Sequence, residues 1–178
     1  MGNQCAPESS GMAKGARIPN VTLDKGFPPK KTPLVDIIGG KKVIMIGLPG
    51  AFTPTWSTKT VPGYLAKQSE LKAKGVSDVI VYSVNDDAVM NAWAKDLKIE
   101  GSMVSMYGDS TSLLAKALGL ELTDAGVMEV LGNPRCKRHA IIVEDMVIKE
   151  IFVAASVDDP TGDARPEKTF VDNILNHL

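Results

Sequence analysis

The chain has 178 residues, 44% of them hydrophobic and 23% charged, with a net charge of −1. That is enough for one domain with its own core, and it gives no electrostatic reason to bind nucleic acid. Aromatic residues make up only 5%, too few for base-stacking surfaces. No apolar run approaches the ~18 residues of a membrane span, and Met1–Gly15 lacks the apolar stretch of a secretory signal, so the expected setting is the cytoplasm. Two cysteines, Cys5 and Cys136, are too few for a disulfide framework, and a reducing compartment disfavours a bridge.

Residues 1–16 show no periodicity and read as a disordered tail, leaving 17–178 as the domain. Ile18 to Asp36 is punctuated by Pro and Lys, as expected of short strands and turns. Gly39-Gly40 opens the apolar run Lys41 to Leu48, a central strand covered on both faces. A helix is expected from the late fifties to Lys74, with Val61, Tyr64, Leu65 and Leu71 apolar, Pro62 restricting its first turn and Gly75 stopping it. Val79 to Val84 is a second buried strand. Asp86 can cap a helix whose apolar face is Val89, Ala92, Trp93 and Leu97. Met103 to Tyr107 is a short strand, and Asp109 caps a helix that runs to Leu118 and ends at Gly119. Arg138 to Val143 and Met146 to Val153 are β-rich runs split by Glu144-Asp145, a hairpin signal. Pro166 to Leu178 ends the chain as an amphipathic helix on Phe170, Ile174 and Leu175. This order gives an α/β layer architecture of thioredoxin-like type: a mixed central sheet with helices on both faces.

In such a sheet, ligands bind beyond the carboxyl ends of the strands. The first buried strand delivers Leu48 to Ser57 to that edge, a Pro- and Gly-stiffened loop with hydroxyls running into a helix start. Unpaired N–H groups and the positive dipole end suit an anion or a thiolate there. A tight turn with capping hydroxyls explains the same residues. Neither GxGxxG nor GxxxxGK[ST] occurs, which disfavours nucleotides.

Pro49-Gly50-Ala51-Phe52-Thr53-Pro54-Thr55-x-Ser57, followed by Val61-Pro62-Gly63-Tyr64, resembles the active-site block of type II (peroxiredoxin-5-like) peroxiredoxins, PGAFTPTCS and then VPGY. Ser83-Val84-Asn85-Asp86, Trp93, Lys116-Ala117-Leu118-Gly119 and Arg135-Cys136-Lys137-Arg138 follow in the family's order, so the likeness spans about residues 16–178. It implies a thioredoxin-like fold, thiol-dependent reduction of hydrogen peroxide and alkyl hydroperoxides, no cofactor, and a homodimer through the active-site edge. If the chain is active, it also implies a reductant such as glutathione with glutaredoxin, or thioredoxin. By motif, Thr53 and Arg138 hold the peroxide and Pro49 shields the site.

Trp56 stands in the slot of the peroxidatic cysteine, in unbroken register. Indole cannot pass through a sulfenic acid. Thr60 replaces the family's usual histidine, and Val81 stands where some members carry a resolving cysteine. Trp56 either plugs the peroxide pocket or projects as an anchor for a partner. Three functions stay open: a peroxidase-dead binding or scaffold module, a thiol peroxidase in which Trp56 is an introduced change, and thiol chemistry relocated to Cys136. Finally, Met1-Gly2-Asn3-Gln4-Cys5 resembles an N-myristoylation signal at Gly2 with a palmitoylation site at Cys5, although Ala6 replaces the preferred Ser or Thr. The acylation would bring the protein to membranes.

Overall fold

In the computed structural model, which describes residues 12–178, the glycine-bounded run forms β3 (Lys42–Leu48), the centre of a seven-stranded mixed sheet. Its residues alternate between two cores, as a strand's two-residue period requires. Val43 and Met45 join one layer, while Ile44 and Ile46 join the other. A strand buried on both faces reads as continuous apolar sequence, which is why this one was legible.

On one side β3 pairs in parallel with β4 (Asp78–Ser83), and β4 pairs in parallel with β5 (Val104–Gly108). On the other side it pairs antiparallel with β8 (His139–Glu144), which pairs with β9 (Val147–Val153). The hairpin of β1 (Thr22–Lys25) and β2 (Lys30–Pro33) completes the order β2-β1-β5-β4-β3-β8-β9. A separate two-stranded sheet joins β6 (Glu121–Leu122) to β7 (Arg135–Cys136).

Helices cover both faces. α1 (Leu34–Ile38) and α5 (Leu113–Ala117) bury Leu34, Ile38, Leu114 and Ala115 against the layer of Val43 and Met45. The opposite layer takes α2 (Val61–Ala66), α3 (Gln68–Ala73), α4 (Asp87–Asp96) and α7 (Val171–Leu175) through Tyr64, Leu71, Met90, Trp93 and Ile174. Each fully buried aliphatic or aromatic side chain contributes roughly 1.5–3 kcal/mol, so these two layers dominate stability.

Several sequence expectations are corrected. Residues 12–16 lie against the domain: Met12 N–H donates to Leu118 O and Gly15 N–H to Ile148 O. Leu34–Ile38 is helical where only strands and turns were expected. The helix expected from the late fifties runs over residues 54–73 with an interruption at Lys67. In α4 the buried face is Asp87, Met90 and Trp93, while Ala92 is exposed. Asp109 caps α5 from further upstream, accepting from Leu114 N–H at 3.2 Å and Ala115 N–H at 3.0 Å. The last helix is split into a 3₁₀ turn (Pro166–Thr169) and α7. α6 (Ala125–Leu131) was not anticipated.

Candidate functional site

β3 ends at Leu48, and Pro49 turns the chain out over the carboxyl edge of the sheet. Three hydrogen bonds fix the loop. Thr53 Oγ1 donates to Gly50 O at 3.0 Å, Ala51 N–H donates to Asn85 Oδ1 at 3.0 Å, and Ser83 Oγ donates to the same oxygen at 2.8 Å. The helix then opens with Ser57 N–H donating to Thr53 O. Trp56–Thr60 forms a π-helical turn, Val61 N–H reaching back to Trp56 O. Such turns widen a helix by one residue and recur at functional sites.

That turn directs Trp56 inward. Its side chain is 1% exposed and belongs to the layer of Leu48, Val61 and Tyr64. The indole therefore points into the core and does not project from the surface. Trp93, at 0% exposure, donates its Nε1–H to Ser57 Oγ at 3.0 Å, tying α4 to the same turn.

Arg138, just before β8, is also 1% exposed. Its guanidinium carbon stands 4.2 Å from the Trp56 ring centroid, a desolvated cation–π contact worth about 2 kcal/mol. Arg138 Nη2 donates to the Asp163 carboxylate. Burial lowers the guanidinium's pKa, and Asp163 and Asp159 push it back up. A buried cation needs such compensation. Here an indole face and a carboxylate supply it, where the family resemblance places a thiolate. Among the described residues, Trp56 Nε1, Arg138 Nε and Arg138 Nη1 have no hydrogen-bond partner, and neither does the buried Thr60 hydroxyl.

Pro49, Thr53, Trp56, Arg138 and Asp163 line one open pocket of about 590 Å³, walled on its far side by Val127, Val130 and Leu131 of α6. The sequence-predicted residues Pro49, Thr53, Trp56 and Arg138 are thus brought together. Asp163 is a member that sequence reasoning missed, since nothing in the chain marks a pairing 25 residues from Arg138. α6 was also missed, although Asp124 accepts from Val127 N–H and Gly132 closes the helix at φ 80, both of which are legible cap signals.

Cys136 does not join this group. It is 0% exposed, with Sγ 3.8 Å from Tyr82 Oη, 3.6 Å from His139 Nδ1 and 3.4 Å from Lys137 O. Burial pushes its thiol pKa well above the ordinary range, so it stays protonated. His139 lies 2.8 Å from both Lys137 O (through Nδ1) and Tyr82 Oη (through Nε2). The carbonyl can only accept, so Nδ1 carries the proton and Nε2 accepts from the phenol. Burial lowers the His139 pKa to about 4. Gly47 makes room for this cluster: a Cβ there would fall 2.0 Å from His139 Cε1 and 2.8 Å from Cys136 Sγ. Val81 is buried in β4. Gly2 and Cys5 lie outside the described residues.

The redoxin family profile matches residues 13–166. Peroxiredoxin-2B of Arabidopsis thaliana is 36% identical over 160 residues, covering 83% of this chain and 95% of that protein. The chloroplastic Peroxiredoxin-2E of the same plant is 37% identical over 147 residues, 80% of this chain but 62% of that longer protein. A mitochondrial form also matches. Among solved structures, reduced Prx3 from Vibrio vulnificus in complex with H₂O₂ superposes with a TM-score of 0.81 at 35% identity, covering 93% of this chain and 94% of that one.

Proposed function

The chain belongs to the redoxin family of thiol-dependent peroxidases, and on that premise we propose that it is a peroxidase-dead member whose scaffold serves as a binding module. The observation that carries this is the burial of Trp56 at the head of the helix, stacked beneath Arg138. Reduction of a peroxide in this family needs a thiolate that attacks one oxygen and expels the other as water or alcohol. An indole has no lone pair of that reactivity. Arg138, which would otherwise orient the peroxide, is engaged by Asp163 and by the indole face. The remaining core thiol, Cys136, is buried and protonated, and thiolate character decides reactivity.

One alternative is favoured by a specific observation. Pro49, Thr53 and Arg138 still surround the pocket, as they would if a cysteine at position 56 had been replaced. In that form the protein is an active thiol peroxidase supplied by glutathione and glutaredoxin or by thioredoxin. We further place the protein in the cytoplasm as a homodimer, held at membranes when Gly2 and Cys5 are acylated. Among the described residues no helix is long and apolar enough to cross a membrane, so an attached lipid would have to supply the membrane affinity.

The test is chemical trapping. Native protein exposed to hydrogen peroxide in the presence of a 1,3-dione that captures sulfenic acids, then digested and mapped, should show no adduct on Cys136. An adduct there in folded protein would refute the proposal and make Cys136 the reactive centre.

A further inference from the structure

The carboxyl-edge pocket is not the only built feature. β5 is an interior strand in the sheet order, yet its outer edge is paired at one position alone: β1 meets it only through Asp24 and Gly108. The register decides which groups are left. Val79 N–H bonds to Met103 O and Asp109 N–H to Ser83 O, so the odd-numbered residues of this segment face β4. Val104 and Met106 therefore turn their peptide groups outward. Val104 N–H is taken by the hydroxyl of Ser102 at 3.0 Å. Among the described residues, Met106 N–H and C=O find no backbone partner there.

Beside this edge runs a cavity of about 900 Å³, between α4 and the turn after β1. Three lysines, Lys25, Lys95 and Lys98, and two carboxylates, exposed Glu100 and Asp87, line it; Asp87 is 3% exposed, and among the described residues its Oδ2 has no partner. Among the described residues no carboxylate pairs with Lys95 or Lys98. The lysines lie on opposite faces of the sheet. Met90 and Trp93 of α4 pack in the layer of Val104 and Met106, so Lys95 and Lys98 belong to that side. Lys25 rests over the Tyr107 ring, 4.8 Å from its centroid, and Tyr107 belongs to the other layer.

We infer that this groove is a strand-addition site for an extended acidic peptide segment. An added strand next to β5 would take the free Met106 N–H and C=O into a ladder, the main-chain mode of recognition open to any exposed sheet edge. Its side chains would alternate between faces, so acidic residues at every second position would all lie on one face, where they would meet Lys95 and Lys98. A peptide N–H near Asp87 would satisfy an oxygen that now has no donor. The site shares no residue with the pocket over Trp56, and it does not depend on whether that pocket is catalytically dead.

The experiment uses a fluorescein-labelled heptapeptide of alternating Glu and Val, with a control in which each Val is replaced by Pro, titrated against the full chain by fluorescence anisotropy. The expected result is saturable binding of the Glu–Val peptide only. Lys95→Glu with Lys98→Glu, both at exposed positions, should weaken it at least ~10-fold, because two attractive contacts become repulsive. Hydrogen exchange of the Met106 amide should be measurable in free protein and slow when the peptide is bound. The inference is overturned by no binding, by equal binding of the proline control, or by full binding to the charge-reversed variant. It is also overturned by a Met106 amide already protected in free protein, as a second copy of the chain paired at this edge would produce. Equal competition by a single-stranded oligonucleotide would overturn it as well, marking a general polyanion surface.

Discussion

Trp56→Cys restores the one atom that the family chemistry requires, and its consequences can be worked out from the pocket. A buried tryptophan removes about 150–250 Å² from water, worth at most roughly 4–6 kcal/mol at about 25 cal/mol per Å². Among the described residues the buried indole Nε1–H has no partner, and removing that donor returns about 1–3 kcal/mol. The net expectation is destabilisation by about 2–4 kcal/mol, read as a lower denaturant midpoint. The new thiol would sit at a helix start beside a guanidinium that now lies 4.2 Å from the ring centroid. A nearby cation lowers a thiol from its ordinary pKa of about 8.5, but the Asp163 carboxylate already engages Arg138. Trp56→Cys alone should therefore titrate near ~7.5, and Trp56→Cys with Asp163→Asn about one unit lower. At neutral pH that raises the thiolate share from a few per cent toward a majority, and stopped-flow peroxide reduction should accelerate in the same order. Recovery should be partial, since Thr60 stands in place of a histidine and Val81 in place of a resolving cysteine. Ultraviolet thiolate absorbance against pH is the assay. Titration near 8.5 in both variants, with the peroxide reactivity of free cysteine, would refute the placement of Trp56 beside Arg138.

Cys136 should resist an aromatic disulfide reagent in native protein and react once the chain is unfolded by guanidinium, because its thiol is buried and held protonated. His139 should make the fold acid-sensitive. Its folded pKa of about 4 lies below the ordinary 6.5, so the unfolded chain binds the extra proton. The stability is complete above pH 6.5 and is lost as pH falls toward 4, by up to about 3 kcal/mol. Urea midpoints across that range measure the loss, and it should be absent in His139→Gln. In a eukaryotic host, Gly2→Ala should move the protein from the membrane to the soluble fraction, whereas an unmodified N-terminus by intact mass in the unsubstituted protein would end the acylation proposal.

The parts of the fold legible in the sequence were those whose physics is local. The apolar runs of β3 and β4 are continuous because both faces are buried, and the caps at Asp86 and Asp109 are short-range hydrogen bonds. α4 was found but its face misassigned: Val89 and Ala92 are apolar, yet the buried positions include the polar Asp87, which tertiary contact with Gly108 favours. α6 buries no residue in the core, so the periodicity that reveals a helix was weak there. In the site, the block from Pro49 to Ser57 carried Thr53 and Trp56 together, and Arg138 came through the resemblance alone. The Asp163 pairing was invisible because it depends on how the loop after β9 returns over the pocket. The unpaired edge of β5 was equally hidden, since it follows from where β1 diverges and from no property of β5 itself.

The most direct measurement is peroxide consumption by the purified chain with a thiol reductant supplied in excess, for hydrogen peroxide and for an alkyl hydroperoxide. With Trp56 filling the peroxidatic position and Cys136 buried, the rate should equal that of a protein-free control. A rate constant within about tenfold of ordinary thiol peroxidases, whose effective ceiling is diffusion at about 10⁸–10⁹ M⁻¹s⁻¹, would contradict the account and establish that this chain reduces peroxides without a cysteine at position 56.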